Sequence, residues 1–467
     1  MTIKLLILLQ LSVIVSSIQD DRKVGRLTEV FAWKQLTYDI DGVALTQDRV
    51  TNFEQNALLR RKRQSDLVYF KNEYMDERIW SDKYSRMDSR VIPRWNLYRP
   101  KPSQPNVGTN VNQSDAFFIQ YNNVPMGVER VGDRVFITVP RRRYGIPSTL
   151  NYVELNQRER SPALKPYPDI RQARSLTSVY RTRADQCGRL WMVDTGLLEI
   201  PANPQQVQPP AIVIFDLNTD TQILRYQFKD EDIPAANTPT GLASITIDMQ
   251  SDCASAYAYV PDLTTFGLIV YSLKDNDSWR LSHSYFHFNP IAGNLNIAGQ
   301  NFQWNDGIFS ITIKQTGREC NTAYFHPLIS FHEFAVSTCV LNNKTAIQAS
   351  NYWSLYSVVG ERGDESQSTM HGHHAGSNVM FYAEIGRSAV TCWHTARLLK
   401  PSNIAILAKD NTRLSYPCDL HVTDDEVWVM ANSLPRFSYS RLDTDEYNFF
   451  VYRASIKDLI SGTICNN

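Results

Sequence analysis

The chain of 467 residues has balanced charge, no long apolar segment beyond its first residues and none of the common catalytic motifs. Lysine plus arginine number 48, and aspartate plus glutamate also number 48, so a nucleic-acid partner is not expected. No stretch after residue 17 is apolar enough for a membrane helix, so no membrane partner is expected either. A nucleophile elbow, a cysteine–histidine pair, a phosphate loop and an HExxH motif are all missing. Any chemistry is therefore expected to be undemanding proton transfer.

The first residues have the pattern of a secretory signal peptide. A start containing Lys4 is followed by an apolar run over residues 5–15 and by two serines at 16 and 17. This pattern predicts a signal peptide over residues 1–17 and a secreted, extracellular protein. Three Asn-x-Ser/Thr sequons predict glycosylation at Asn112, Asn276 and Asn343.

The rest of the chain repeats one pattern six times. A short apolar strand is followed by a polar turn and by a second strand with an aromatic residue near its start. These aromatics are Phe136, Trp191, Tyr257, Tyr324, Phe381 and Trp428. Their spacing of 47–67 residues is near the length of a four-stranded blade, so the sequence predicts an all-β, six-bladed β-propeller over residues 116–467.

Two segments precede the repeats. Residues 18–41 contain an apparent strand at 29–39, which is predicted to complete the last blade and close the ring. Residues 42–115 are polar, weakly periodic and rich in Pro, Asn and Gly near their end, which predicts a mobile insert outside the core. The insert carries the run Arg60-Arg-Lys-Arg63, which matches a proprotein-convertase site cut at Arg63. The alternative is a solvated run of charge.

Polar residues at the starts of the inner strands are the candidate ligand-binding set. In a propeller, the innermost strands line a central channel, so equivalent positions of different blades meet around the axis. The candidates are Asn305, Asp306, Gln367, Ser368 and Asp419. Asp306 and Asp419 are predicted to pair with a ligand cation or to orient a proton carrier. The alternative is that such residues cap strands and satisfy turns.

Several long motifs resemble the insect yellow / major royal jelly protein family. They read GVERVGDRVFITVPR at 127–141, CGRLWMVDTG at 187–196, AYVPD at 258–262 and YFHPL at 324–328. The resemblance covers residues 28–41 and 116–465. It implies a six-bladed propeller and roles in cuticle pigmentation, dopachrome conversion or binding of biogenic amines, although only some members convert dopachrome. Residues 42–115 depart from the family, because the usual linker is much shorter.

The seven cysteines of a secreted chain pose a disulfide question. Cys187 and Cys253 precede the second strands of adjacent repeats, and the family resemblance supports a bridge between them. Cys392 in a late strand and Cys465 at the chain end form a second predicted pair. Cys320 and Cys339 are symmetric about a turn and form a possible third pair. Cys418 is then left over, and a buried apolar thiol is favoured over a reactive one.

Histidines suggest two kinds of chemistry. The segment 370–374, interpreted as a loop, contains His371, His373 and His374, which are weak candidates for a metal site. A solvated polar loop is favoured over metal binding, and no cofactor is predicted. His371 and His421 are the candidate proton carriers, since histidine titrates near neutral pH.

Three functions therefore compete. The first is dopachrome tautomerisation at the central channel, which needs an acid, a base and a pocket for an indole-like ring. The second is binding of an aromatic amine or of an indole or catechol ligand without chemistry. The third is a structural cuticle or matrix glycoprotein. The sequence alone leaves all three open.

Overall fold

A computed structural model describes residues 22–49, 118–198, 204–233, 241–250 and 252–466. Its strands form six antiparallel sheets arranged as a ring, which confirms the predicted six-bladed propeller. From the axis outward, blade 1 contains β5 (Gly127–Val131), β6 (Arg134–Thr138), β7 (Leu150–Glu154) and β8 (Lys165–Pro166); blade 2 contains β9 (Val179–Ala184), β10 (Arg189–Asp194), β13 (Ala211–Asp216) and β14 (Thr221–Gln227). Blade 3 contains β15 (Thr246–Met249), β16 (Ala256–Asp262), β17 (Gly267–Ser272) and β18 (Asp277–Ser282).

The remaining blades follow the same order. Blade 4 contains β21 (Ile308–Lys314), β22 (Thr322–Pro327), β23 (His332–Ser337) and β24 (Tyr356–Glu361); blade 5 contains β25 (Ser368–His374), β26 (Val379–Glu384), β27 (Ala389–His394) and β28 (Ile404–Lys409). Blade 6 contains β29 (Tyr416–Thr423), β30 (Glu426–Asn432), β31 (Phe449–Ser455), β2 (Leu27–Trp33) and β1 (Lys23–Val24). Small hairpins are formed by β3 (Tyr38–Ile40) with β4 (Val43–Leu45), β11 (Leu197–Leu198) with β12 (Gln205–Gln206), and β19 (Asn294–Ile297) with β20 (Gln300–Gln303). The helices are short: α1 (Ile170–Ala173), α2 (Thr338–Leu341), α3 (Leu434–Tyr439) and α4 (Ile456–Ile460).

The ring is closed by the N-terminal segment, as the sequence predicts. Strand β2 pairs antiparallel with β31, with Glu29 opposite Tyr452 and Phe31 opposite Val451. The first and last parts of the chain therefore share one sheet, and this pairing leaves no exposed edge on β31.

The prediction of one strand over 29–39 is wrong, because the segment forms two strands. Strand β2 ends at Trp33, and the chain then turns toward blade 1, where Tyr38 of β3 bridges Leu164. The partner strand β4 lies within the range assigned to the mobile insert, and Leu45 is buried in the core. Arg63 and Asn112 lie outside the described residues.

The aromatic position of the second strand packs between adjacent blades. Four of the six predicted aromatics are completely buried, and Tyr257 and Tyr324 are half-buried. A blade is covered on both faces by its neighbours, so its middle strands are buried along their whole length and nearly all apolar, as in β26, where Glu384 is the one charged residue. These packed faces explain why the aromatic recurs once per blade.

All three predicted disulfides are present. Cys187–Cys253 joins blades 2 and 3, Cys320–Cys339 closes a hairpin of blade 4, and Cys392–Cys465 ties the chain end to blade 5. Cys418 is the free cysteine among the described residues; it is buried, and its burial raises the pKa of the thiol well above its usual range. The sequon residues Asn276 and Asn343 are exposed. Within the described ranges, no helix combines the length and apolarity needed to cross a bilayer.

Candidate functional site

The six inner strands all run in the same direction through the ring and define two faces. We call the face at which they begin the start face and the opposite one the end face. The start face carries the loops 139–149, 283–307 and 433–448. At the end face the inner and second strands are joined by short turns, and the longer segments 155–164, 338–355 and 395–403 join the outer strands. Long loops that gather around an axis are where propellers hold ligands.

A side chain occupies the axis below the start face. Arg181 of β9 reaches from blade 2 to the carbonyl of Cys418 in blade 6 and to the carbonyl of Ala243 near blade 3, 2.7 Å away. Its guanidinium carbon lies 4.9 Å from the ring centre of Phe309 in blade 4. Because these groups belong to blades on opposite sides of the ring, Arg181 fills the predicted channel at this depth. It forms a floor beneath the start face.

Below Arg181 lies a buried group of charges that we call the axial cluster: Glu129, Arg183, Asp419 and His421. Arg183 lies 3.0 Å from Asp419 and 3.5 Å from Glu129. Asp419 also accepts hydrogen bonds from two backbone amides, those of Val128 and Leu420. The predicted ligand residue Asp419 therefore uses its carboxylate within the fold, because it faces the neighbouring inner strands.

Two groups of the axial cluster have pKa values shifted in opposite directions. Burial raises the pKa of Glu129 to about 8, against the opposing charge of Arg183, and nearby Asp419 adds to the rise. Burial and the Arg183 charge hold the pKa of His421 well below its usual range. Nδ1 of His421 lies 3.1 Å from Oε2 of Glu129 and 2.8 Å from the hydroxyl of Thr423. Both shifts favour a proton on Glu129 and a neutral His421.

Above Arg181, four rings form what we call the aromatic mouth: Phe302, Trp304, Tyr416 and Tyr439. Tyr439 stacks on Phe302 with ring centres 4.8 Å apart, and Trp304 meets Tyr416 edge to face at 6.0 Å. The indole N–H of Trp304 donates to the Tyr439 oxygen at 2.6 Å. The rings come from the loop before blade 4, from β29 and from α3, so distant parts of the sequence build one apolar surface.

Asp306 is the acid of the aromatic mouth. Burial raises the pKa of its carboxyl to about 6, and the positive charge of Arg142 partly opposes the rise. The next residue, Gly307, packs tightly, because a Cβ there would lie 2.5 Å from the carbonyl oxygen of Phe286. The backbone carbonyl of Asp306 accepts a hydrogen bond from Ile329. A carboxyl that titrates near neutrality beside aromatic rings is suited to proton transfer or to binding a cation.

The other predicted ligand residues lie near this mouth in different environments. Asn305 is exposed beside Asp306. Gln367 is buried and donates to the carbonyl of Ala292, while the Ser368 hydroxyl donates to backbone carbonyls of blade 5. The structure thus brings Asn305 and Asp306 to the surface of the mouth and gives Gln367 and Ser368 contacts within the fold.

The predicted proton carrier His371 lies between blades 4 and 5, away from the axis. It belongs to what we call the interblade cluster: His326, Glu333, Arg362 and His371. Glu333 lies 3.0 Å from Nδ1 of His326, 3.1 Å from Nε2 of His371 and 2.8 Å from Arg362. Burial would raise the pKa of Glu333, but the two histidines outweigh it and hold this pKa well below its usual range. His371 and His421 therefore belong to separate clusters.

The interpretation of residues 370–374 as a loop is wrong, because they form the end of β25. Alternation along a strand sends neighbouring side chains to opposite faces. His373 contacts Asn378 at 3.4 Å, whereas His374 contacts Asp425 of blade 6 at 3.3 Å. The three histidines consequently do not converge on one point.

Sequence reasoning missed most of the residues that surround Asp306 and the axis. Trp304 and Tyr439 belong to irregular loops and a short helix, and no repeat position marks them. Arg181 and Arg183 carried a usable signal, since two arginines alternate within an otherwise inner-strand pattern. Such residues must find buried partners once the ring closes.

The fold and these clusters define a class of protein: a closed six-bladed propeller with three disulfides, whose aromatic mouth lies above a buried arginine on the axis. The chain belongs to the major royal jelly protein family, whose profile matches residues 177–465. It is 40% identical to L-dopachrome tautomerase yellow-f of Drosophila melanogaster over 85% of this chain and 93% of that protein. It is 36% identical to dopaminechrome tautomerase of the same species, over 75% of this chain and 78% of that protein. Protein yellow of Drosophila melanogaster is 39% identical over 75% of this chain, and the match spans 65% of that protein's length.

Proposed function

We propose that this protein is a secreted pigmentation enzyme that converts an aminochrome such as L-dopachrome into its dihydroxyindole tautomer at the aromatic mouth. The observation that carries the proposal is Asp306, a carboxyl whose pKa is raised to about 6 among aromatic rings. Two relatives bear the names of this reaction on L-dopachrome and on dopaminechrome. Three disulfides support an oxidising, extracellular setting.

The reaction is redox-neutral, so the chain's own side chains can carry it. Two protons leave adjacent carbons of the five-membered ring, the electron pairs of those C–H bonds enter the ring system, and the two quinone oxygens each gain a proton. In the proposal the Asp306 carboxylate takes the first carbon-bound proton, and water takes the second and protonates the second oxygen. Tyr439 accepts its hydrogen bond from Trp304, which leaves its own hydroxyl proton for the first quinone oxygen. Burial raises the pKa of Tyr439, so this hydroxyl is protonated at neutral pH.

Substrate recognition follows from the same surface. The flat bicyclic ring would stack on the aromatic mouth, as aromatic pairs do at centre distances of about 4.5–7 Å. L-dopachrome carries a carboxylate, and dopaminechrome does not. Arg142, whose charge acts on Asp306, is the cation suited to that carboxylate. We therefore propose L-dopachrome as the preferred substrate.

The deciding experiment measures loss of dopachrome absorbance by the secreted full-length protein and by Asp306→Asn. We expect kcat/KM of the wild type to rise with pH through about 6, because the base form of Asp306 is required. The Asp306→Asn variant should lose about 10²-fold or more and should lose this pH dependence. Glu446→Gln, which removes an exposed charge from a loop of the same face, is the matched control and should keep full activity. An active Asp306→Asn variant with the wild-type pH profile would place the chemistry elsewhere.

Arg142→Gln tests the substrate preference separately. We expect KM for L-dopachrome to rise about tenfold or more and KM for dopaminechrome to change little, since only the first substrate loses a charge pair. An equal rise in KM for both substrates would contradict a role for Arg142 in binding the substrate carboxylate.

A second function, binding of an aromatic amine without conversion, is favoured by the same carboxylate, because an ammonium group pairs with an ionised Asp306 beside aromatic rings. Calorimetry with dopamine separates the two. Saturable heat that Asp306→Asn abolishes, without dopachrome loss by the wild type, would favour the amine binder. If neither heat nor conversion is observed, a structural glycoprotein is the function that best fits the protein.

A further inference from the structure

The interblade cluster has a charge arrangement that the proposed tautomerisation does not use. His326 on β22 and Glu333 on β23 are neighbours within blade 4, and His371 on β25 reaches them from blade 5. All three side chains are buried, and one ligand atom from each lies within 4.8 Å of those of the other two. Two imidazoles and one carboxylate are a common set of ligands for zinc and similar metals.

The contacts of His326 require a proton or a metal ion between its Nδ1 and Glu333. Nε2 of His326 lies 3.1 Å from the carbonyl oxygen of Ser368, which only accepts, so this nitrogen carries a proton. Nδ1 then faces Oε2 of Glu333 at 3.0 Å, and a neutral ring would present a lone pair to a carboxylate oxygen. Either a second proton or a metal ion must separate the two atoms.

A second pair of atoms points to the same place. Nε2 of His371 and Oε1 of Glu333 are buried 3.1 Å apart, yet neither has a hydrogen-bond partner of acceptable geometry among the described residues. Nδ1 of His371 is held by the Ser310 hydroxyl at 2.7 Å. Metal-bound histidines are usually oriented in this way, by a hydrogen bond at the other ring nitrogen, and His326 shows the same arrangement through Ser368.

We infer that His326 Nδ1, His371 Nε2 and Glu333 Oε1 form a binding site for a divalent transition metal, zinc being the best match, which joins blade 4 to blade 5. Ligand atoms around tetrahedral zinc are about 3.3 Å apart, given bonds of about 2.0–2.1 Å. Nε2 of His371 lies 3.1 Å from Oε1 of Glu333, and one ligand atom of each of the three residues lies within 4.8 Å of the others. The site departs from the sequence-based expectation of no cofactor. It also differs from the predicted histidine set, with which it shares only His371.

Arg362 is expected to lower the affinity of this site for a metal ion. Its guanidinium binds Oε2 of Glu333 and leaves Oε1 for the metal. Its positive charge opposes a divalent cation, although the carbonyls of Ser330, His332 and Ser366 share that charge. We therefore expect weaker binding than the same three ligands would give without the arginine.

The test uses the full secreted protein, dialysed against a chelator and titrated with Co²⁺ and then Zn²⁺. We expect about one metal ion per chain, a Co²⁺ absorption spectrum typical of low coordination number, and a higher Tm with Zn²⁺. X-ray absorption of the zinc-loaded wild type should show two imidazoles and oxygen. His371→Gln should abolish binding, and His373→Gln, two residues along the same strand, should retain it.

The wild-type measurements keep the inference open to refutation if His371→Gln does not fold. Absence of stoichiometric Co²⁺ binding by the wild type would show that a proton, and not a metal, holds the cluster. A zinc shell without two imidazoles would overturn the site, as would metal retained by folded His371→Gln. Binding lost equally in His373→Gln would also overturn it.

Discussion

The axial cluster and the interblade cluster both combine glutamate, histidine and arginine in the interior, yet their glutamates differ in protonation. The pKa of Glu129 on the axis is raised to about 8, whereas that of Glu333 between blades 4 and 5 is held well below its usual range. Glu129 shares Arg183 with the competing carboxylate of Asp419, and its arginine contact is 3.5 Å long. Glu333 has a 2.8 Å contact with Arg362 and two histidines besides. The number and closeness of the surrounding donors therefore decide whether a buried glutamate keeps its proton.

The largest effect is expected from removing Arg362. In chelator-treated protein, Arg362→Ala should lower the free energy of unfolding by about 4 kcal/mol or more, because it leaves the buried Glu333 carboxylate without its closest cation. Three backbone carbonyls also lose their donor. Denaturant unfolding measures the change. A loss below about 1 kcal/mol would mean that Glu333 does not depend on Arg362.

Matched amide substitutions sharpen the comparison most directly. Glu333→Gln should cost about 3 kcal/mol, since it removes the charge that balances Arg362. Glu129→Gln should cost about 1 kcal/mol or less near pH 4.5 and still less at pH 7, because the amide can replace the hydrogen bonds of a protonated Glu129 to Ala184 and His421. Equal costs for the two variants, each measured by urea unfolding, would remove the distinction between the clusters.

The sequence predicted the ring more completely than the site. Local pattern and the equivalence of repeat positions were sufficient to predict the ring. They gave the period of the second-strand aromatics, the closing strand and the pairing of Cys187 with Cys253. The direction of an inner-strand side chain was not predictable. Asp419 and Asp306 were both expected at the starts of inner strands, but Asp419 is the fourth residue of β29 and faces two arginines, while Asp306 precedes β21 and faces the mouth. That difference depends on ring closure and on loops such as 283–307, which bring Trp304 beside Tyr439.

The pH dependence of stability should have opposite signs in the two clusters. Glu129 has a folded pKa raised above its unfolded value, so its contribution is complete below about pH 4.5 and is lost as pH rises to about 8. Across that window, the wild type should lose stability relative to Glu129→Gln by at most about 1.4 kcal/mol per pH unit.

Glu333 has a lowered folded pKa, so its contribution is present above about pH 4.5 and is lost only as pH falls below that value. The difference between the wild type and Glu333→Gln should consequently be flat from pH 5 to pH 8. Urea unfolding at several pH values measures both differences. A flat difference for Glu129→Gln, or a falling one for Glu333→Gln in this range, would contradict the assigned protonation states.

The smallest effect is expected at the exposed end of the axial region, where Arg130 contacts Asp424 at 2.9 Å. This pair has the residue types of the Arg183–Asp419 contact, but the Asp424 side chain is 75% exposed, and the Asp419 side chain is completely buried. Water and salt screen an exposed pair, so Asp424→Asn should cost less than about 1 kcal/mol, and the cost should shrink further in high salt. Asp419→Asn is the matched buried variant and should cost several-fold more, because Arg183 and two backbone amides lose their charged acceptor. If the two variants unfold at the same urea concentration, burial is not what distinguishes the interior clusters from the surface.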